Sequence, residues 1–345
     1  MRLKKNYLKK LTTPIIIGEV SANHNGSINL AKKIIKCAKV NKLDFVKLQS
    51  YEEDTMTIQS KKKEFLIKKG LWKNYSLWEL YKKAKTPFSW HKELFSYSKK
   101  IGIKCISTPF DENAVDMLEK LGCPMYKISS FELTHLPLIK KVAKTKKPVI
   151  ISTGMGTLKE ISDAVKVLKK YGSGDYALLY CVSNYPAKIN EFNLNNLKLL
   201  KKKFNCTVGL SDHSTNNDIA KISLGYGAMI IEKHIALDLQ KKGLDISFSL
   251  KGKNILEFSK DIKNISKLMK NKSKFNSENK NLIYRRSIYS TSNIKKGEIF
   301  TKNNVKIIRP ALGLKPKYFE KIIGKKALKT IPYATPLNRK HIKLR

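Results

Sequence analysis

Two stretches, GLSDHSTNND (209–218) and MIIEKHIALD (229–238), each carry a histidine at the end of a short apolar run. The two, His213 and His234, lie 21 positions apart, and each has an acidic residue close before it, Asp212 and Glu232. Imidazole nitrogens are common ligands for borderline divalent metals, and two of them plus water suit an ion used as a Lewis acid. A pair of hydrogen-bonded structural histidines is the competing account. Asp212 would either fix the tautomer of His213 or cap the turn that follows.

Other residues offer complementary chemistry. Lys47 and Lys127, with Ser130 and Ser152, could cradle a phosphate or carboxylate. The lysines could equally pair with Glu19 or Glu132, and the two readings are compatible. Glu19 and Glu132 could divide acid and base roles, and spacing does not assign them. The five cysteines (Cys37, Cys105, Cys123, Cys181, Cys206) are far apart, with no C-x-x-C pair. They read as buried reduced thiols, with a nucleophilic Cys181 as the weaker alternative.

The elements that must position these groups are read from periodicity. Apolar, β-rich runs occur at 15–20, 45–50, 104–110, 125–130, 148–154, 177–183, 206–213 and 229–235. Amphipathic helical patterns fall between them, such as NLAKKIIKCAKV, LKEISDAVKVLKKYG and NLNNLKLLKKKF, and ILEFSKDIKNISKLM follows the eighth run. Near-continuous apolarity suits strands covered by helices, and the alternation predicts an α/β fold, a (β/α)8 TIM barrel. A doubly wound open sheet is the alternative, since counting does not establish closure. In a barrel the C-terminal strand ends would present Glu19, Lys47 with Gln49, Thr108, Lys127 with Ser130 and Glu132, and Ser152. Ser183 with Tyr185, Ser211 with His213, and His234 complete that rim. Neighbouring strands lie about 4.8 Å apart, so both imidazoles could reach one ion.

One long connection, residues 51–88, follows the second strand and carries Trp72, Trp78 and Pro87. At that end of a barrel it is expected to form a lid or wall of the pocket, with a packed ornament as the alternative. The expected organisation is a barrel over 1–270, a Lys/Asn/Ser-rich linker over 271–285, and a small mixed-β domain over 286–345.

Composition restricts the function classes. The chain has 345 residues, 41% of them hydrophobic, and no stretch approaching a membrane span or a signal-peptide core, so a cytoplasmic protein without a membrane partner is expected. The net charge of +43 invites a nucleic-acid reading, but only six of the 70 basic residues are arginine and the lysines are spread throughout. No nucleic-acid motif accompanies them, so no nucleic-acid partner is expected. A sugar-binding module without catalysis is a further alternative, disfavoured by the acids, lysines and histidines gathered at one rim.

The motifs GEVSANHNGS (18–27), VKLQSY (46–51), ISTPFD (106–111), YKISSFE (126–132), VIISTGM (149–155), CVSNYP (181–186), GLSDHS (209–214) and IIEKHI (230–235) resemble, in order, those of the sialic acid synthase family. The C-terminal segment, including IIRPALGL with Arg309, is similar to the SAF (antifreeze-like) domain of these enzymes. The stretch GLWKNYSLWELYKKAKTPFSWH most resembles the pseudaminic-acid-forming branch, with the legionaminic branch next. The resemblance implies condensation of phosphoenolpyruvate (PEP) with an open-chain amino-sugar aldehyde, and His213 and His234 holding Mn²⁺, with Mg²⁺ or Co²⁺ as alternatives. It places Lys47, Lys127, Ser130, Ser152, Ser183 and Ser211 at PEP, and Gln49, Thr108, Tyr185 and Asp245 at the sugar. Ser183 stands where neuraminate-forming members tend to carry Asn. Glu19 and Glu132 become proton carriers. A domain-swapped homodimer is implied as well, in which Arg309 reaches the partner's sugar.

Overall fold

Strands form along the predominantly apolar runs. They are β1 (Ile15–Glu19), β2 (Phe45–Ser50), β3 (Lys104–Pro109), β4 (Tyr126–Ile128), β5 (Val149–Ser152), β6 (Tyr176–Cys181), β7 (Thr207–Asp212) and β8 (Ala228–Ala236). In β1, β5 and β6 every residue is buried, as expected for strands covered on both faces. Each strand pairs in parallel with the next, and β1 also pairs with β8, from Ile15 opposite Ile230 to Glu19 opposite His234. The sheet is therefore closed into a (β/α)8 barrel, which excludes the open doubly wound sheet. A two-residue strand, β9 (Leu250–Lys251), adds to the end of β8. This computed structural model describes residues 3–270 and 279–343.

Helices Ile28–Val40, Phe88–Ile101, Glu112–Lys120, Leu136–Lys144, Leu158–Tyr171, Asn195–Phe204, Asp218–Ser223 and Gly252–Lys270 follow the eight strands in turn. Each turns one stripe toward the sheet. In Leu158–Tyr171 that stripe is Ile161, Ala164, Val165 and Leu168, at the spacing of a helix face. The same helix starts on a capping box: Glu160 N donates to Thr157 Oγ1 at 3.2 Å and Thr157 N to the Glu160 carboxylate at 2.7 Å.

The β7–β8 ladder shifts register between Val208 and Leu210. Gly209 sits at the shift, where a Cβ would stand 2.2 Å from the Ile230 carbonyl oxygen. Only glycine permits that approach, and the bulge sets how Ser211 and His213 face Glu232 and His234.

The insertion after β2 has internal structure. Lys85 pairs with Glu52 and Glu53 across its base. Ile67 N donates to Tyr75 O at 2.9 Å and Asn74 N to Ile67 O at 3.1 Å, forming a small hairpin that leads into helix Leu77–Ala84.

The chain divides into two units, Met1–Asn271 and Lys272–Arg345. Of the expected linker, residues 271–278 lie outside the described residues, and Asn279–Tyr284 is a short 3-10 helix. The second unit pairs β10 (Ser287–Ser290) with β11 (Val305–Ile308) in antiparallel fashion and has its own core of Ile288, Ile294, Phe300, Val305, Ile322, Ile331 and Leu337. Arg309 lies exposed just beyond β11. Among the described residues no helix is long and apolar enough to cross a membrane.

Candidate active site

Side chains alternate across a strand, so positions i and i+2 share a face. Lys47, Ser211 and Glu232 meet inside the barrel, whereas Asp212 and Lys233 meet on the other face of the sheet. The Lys47 ammonium lies 2.6 Å from Glu19 Oε2 and 3.2 Å from Glu232 Oε1, and donates to Thr108 Oγ1 at 3.3 Å. The Ser211 hydroxyl donates to Glu232 Oε1 at 3.0 Å, and Lys127 Nζ stands 3.7 Å from that same oxygen. Six strands thus deliver one connected polar cluster whose members are each at most 4 % exposed.

Burial opposes every charge in this cluster, and the neighbours decide the outcome. Burial pushes the Glu19 carboxyl up despite the pull of Lys47. Burial acts in the same direction on Glu232, but Lys127 and Lys47 outweigh it and hold that carboxyl down at about 2. Lys47 is raised: burial works against its ammonium, and Glu19 and Glu232 more than offset this. Lys127 is lowered, because burial exceeds the support from Glu232. It is the cation with the least internal compensation, where an anionic ligand would add most.

The sequence left open whether the lysines pair with Glu19 or Glu132. Glu19 takes part, but Glu232 occupies the place considered for Glu132. The Glu132 carboxylate instead accepts from the Ser129 hydroxyl, and burial raises its pKa. Glu232 is the central residue to which sequence reasoning assigned no role beyond its place close before His234. Its signal was available, since it lies two positions before His234 and so shares that residue's face.

A second group converges beside Lys127. Gly154 N donates to Ser130 Oγ at 3.1 Å, and Ser130 Oγ lies 2.9 Å from Cys181 Sγ. A Cβ on Gly154 would stand 2.5 Å from Ser183 Oγ, so the ends of β4, β5 and β6 close tightly around these hydroxyls. Buried Ser152 Oγ and Glu232 Oε2 have no hydrogen-bond partner among the described residues. Buried polar atoms are rarely left so, and both suit a ligand-binding pocket.

The histidines stand together, with ring centroids 5.5 Å apart. His213 Nδ1 faces the Val182 carbonyl oxygen at 3.0 Å, so it carries the proton and Nε2 keeps its lone pair. His234 Nδ1 is buried without a hydrogen-bond partner, 3.6 Å from Asp245 Oδ2. Burial lowers His213 to about 4 and His234 well below its usual range, so both imidazoles are neutral at pH 7. This donor set fits a divalent cation. Among the described residues no group of three or more His, Cys, Asp or Glu is placed to hold a metal, and the two histidines are the residues that would hold one.

Asp212 does not fix the tautomer of His213; the Val182 carbonyl does. Asp212 faces the other side of the sheet, accepting from Ser214 N at 2.9 Å and from Lys233 Nζ at 2.7 Å. Both partners of this ion pair are buried, and they tie β7 to β8 one residue before each histidine. Removing one partner strands the other charge, so Lys233→Met is expected to cost about 3–5 kcal/mol in urea denaturation. An Asp212→Asn/Lys233→Met double variant, which retains an acceptor for Ser214 N, should recover much of that loss. Equal stability of the wild type and Lys233→Met would contradict the account.

Of the remaining sugar-side candidates, Tyr185 and Asp245 lie beside the histidines. The Tyr185 ring is 4.4 Å from that of His213, and Phe248 lies 4.9 Å from His234. Asp245 Oδ2 accepts from Ala22 N at 3.4 Å, and half-buried Gln49 is in register with Thr108. Arg309 belongs to the second unit.

The NeuB family profile matches residues 34–274, most of the barrel unit. The chain belongs to the NeuB family. A SAF domain profile matches residues 285–343, in keeping with the motif resemblance. Among relatives of this NeuB member, a pseudaminic acid synthase of Helicobacter pylori is 40% identical, with 95% of this chain and 97% of the relative aligned. An N,N'-diacetyllegionaminic acid synthase of Campylobacter jejuni is also 40% identical, over 91% of this chain and 96% of the relative. The solved structure of an N-acetylneuraminic acid synthetase from Leptospira borgpetersenii, in complex with citrate, superposes with a TM-score of 0.70 at 29% identity, covering 78% of this chain and 90% of that one.

Proposed function

We propose that this NeuB-family chain is a PEP-dependent sialic-type acid synthase. It condenses PEP with 2,4-diacetamido-2,4,6-trideoxy-L-altrose and water to give pseudaminic acid and phosphate. The observation that carries the reading is the buried Lys47–Glu232–Lys127 cluster beside a pair of neutral histidines. It joins an anion cradle to a site suited to an electrophilic aldehyde. The extent of similarity to the Helicobacter pylori synthase supports the choice of sugar, and the equal identity to the legionaminic relative makes that sugar the second reading.

In this reaction C3 of PEP bonds to the aldehyde carbon, water adds at C2, and the C2–O bond to phosphate breaks. Lys47 and Lys127, with the hydroxyls of Ser130, Ser152, Ser183 and Ser211, hold the phosphate and carboxylate. His213 and His234 would hold a divalent cation, Mn²⁺ first among the candidates. When bound, that cation supplies Lewis-acid polarisation of the aldehyde oxygen. Glu19 and Glu132, both with raised pKa values, would take and return protons at the attacking water and the new hydroxyl.

The test is phosphate release from PEP with a panel of amino-sugars, with and without Mn²⁺. Turnover with the altrose derivative and little with N-acetylmannosamine or the legionaminic precursor is the expected result. Preference for either of the others would overturn the choice of sugar, and release with none of them would overturn the reading.

A further inference from the structure

Aromatic side chains line one side of the histidine pair. There Trp72, from the tip of the insertion hairpin, lies 5.5 Å from Tyr185, and Tyr185 lies 5.4 Å from Phe248. Tyr185 and Phe248 are the rings that pack on His213 and His234. The three aromatics form one continuous apolar wall beside the two imidazoles.

Trp72 has a defined orientation. Its indole Nε1 donates to the Leu244 carbonyl oxygen at 3.1 Å, one residue before Asp245. The hairpin that bears it is closed by its own backbone hydrogen bonds and by Lys85 at the base of the insertion. The indole contact ties the insertion to the segment that carries Asp245.

We propose that Trp72 is a specificity-determining residue for the amino-sugar, presenting an apolar face to its methyl groups. This inference rests on the function proposed above. The sugar's two acetamido methyls and its 6-deoxy terminus are apolar, and an aldehyde held at His213 and His234 would lie along this wall. PEP would lie on the opposite side, with Lys127, Ser130 and Ser152. Trp72 therefore discriminates between the two substrates: it contacts one and leaves the other alone.

The experiment compares the wild type with Trp72→Ala and Trp72→Phe in steady-state phosphate release, with thermal melts to confirm folding. For Trp72→Ala, kcat/KM for the sugar should fall about 10–100-fold, the scale of lost apolar contacts in a specificity pocket. The KM for PEP should stay within about twofold, and Trp72→Phe should recover most of the loss. An unchanged sugar kcat/KM, or an equal change for PEP, would overturn the inference while leaving the proposed function standing. A wild type inactive with every amino-sugar would remove both.

Discussion

Alanine at either His213 or His234 is expected to abolish phosphate release from PEP while the barrel stays folded. Both rings are buried and neutral, and the Val182 carbonyl orients His213 with Nε2 free. Lewis-acid stabilisation of developing charge is worth several kcal/mol, and each 1.36 kcal/mol is tenfold in rate, so a loss of about 10³-fold or more is expected. The fold should survive, because neither imidazole makes an ion pair that its removal would strand, apart from a long contact of His234 with Asp245 at 3.6 Å. Activity and circular dichroism, measured alongside Mn²⁺ binding by electron paramagnetic resonance, separate the two effects. Full activity in a rigorously metal-stripped preparation would refute the metal role, and undiminished Mn²⁺ binding by both variants would refute the ligand assignment.

Lys127→Met should raise the KM for PEP about 100-fold, with circular dichroism and melting temperature much less affected. Truncating one partner of a buried charged contact costs about 2–5 kcal/mol. Methionine keeps the length of the side chain and removes the charge. Burial already disfavours the Lys127 ammonium, and its partners, Glu232 at 3.7 Å and the Ile128 carbonyl at 3.1 Å, are few. The variant therefore strands little of the protein and mostly deprives the ligand. An unchanged KM for PEP would count against the anion cradle.

The barrel was legible because its strands are buried on both faces, which writes most of them as largely apolar runs. All eight runs read from the sequence are strands in the structure, and the β1–β8 ladder supplies the closure that counting left open. The polar residues at the strand ends were legible for the same reason, since a charge ending an apolar run stands out. Partnership within the site was harder to read. Glu232 belongs with Lys47 and Lys127 because of barrel closure, and nothing local says which carboxylate will meet which lysine. Asp212 and Lys233 could have been assigned to the opposite face from period-two alternation, but their pairing depends on the register of β7 against β8. Trp72 and Tyr185 are more than a hundred positions apart, and the contact depends on where a long insertion folds back. Loops leave no such trace in periodicity.

If Lys47 and Lys127 receive an anion as proposed, the position of Glu232 bears on which anions can enter. Two buried ammonium groups open to solvent would form a general trap for sulfate, inorganic phosphate or any small carboxylate. Here the trap already has an incumbent, a carboxylate held by Ser211, Lys47 and Lys127 and covalently unable to leave. A newcomer must offer the lysines more than that incumbent does, so small anions meet an entry threshold. A ligand with phosphate and carboxylate on one rigid frame can engage several donors at once and cross it.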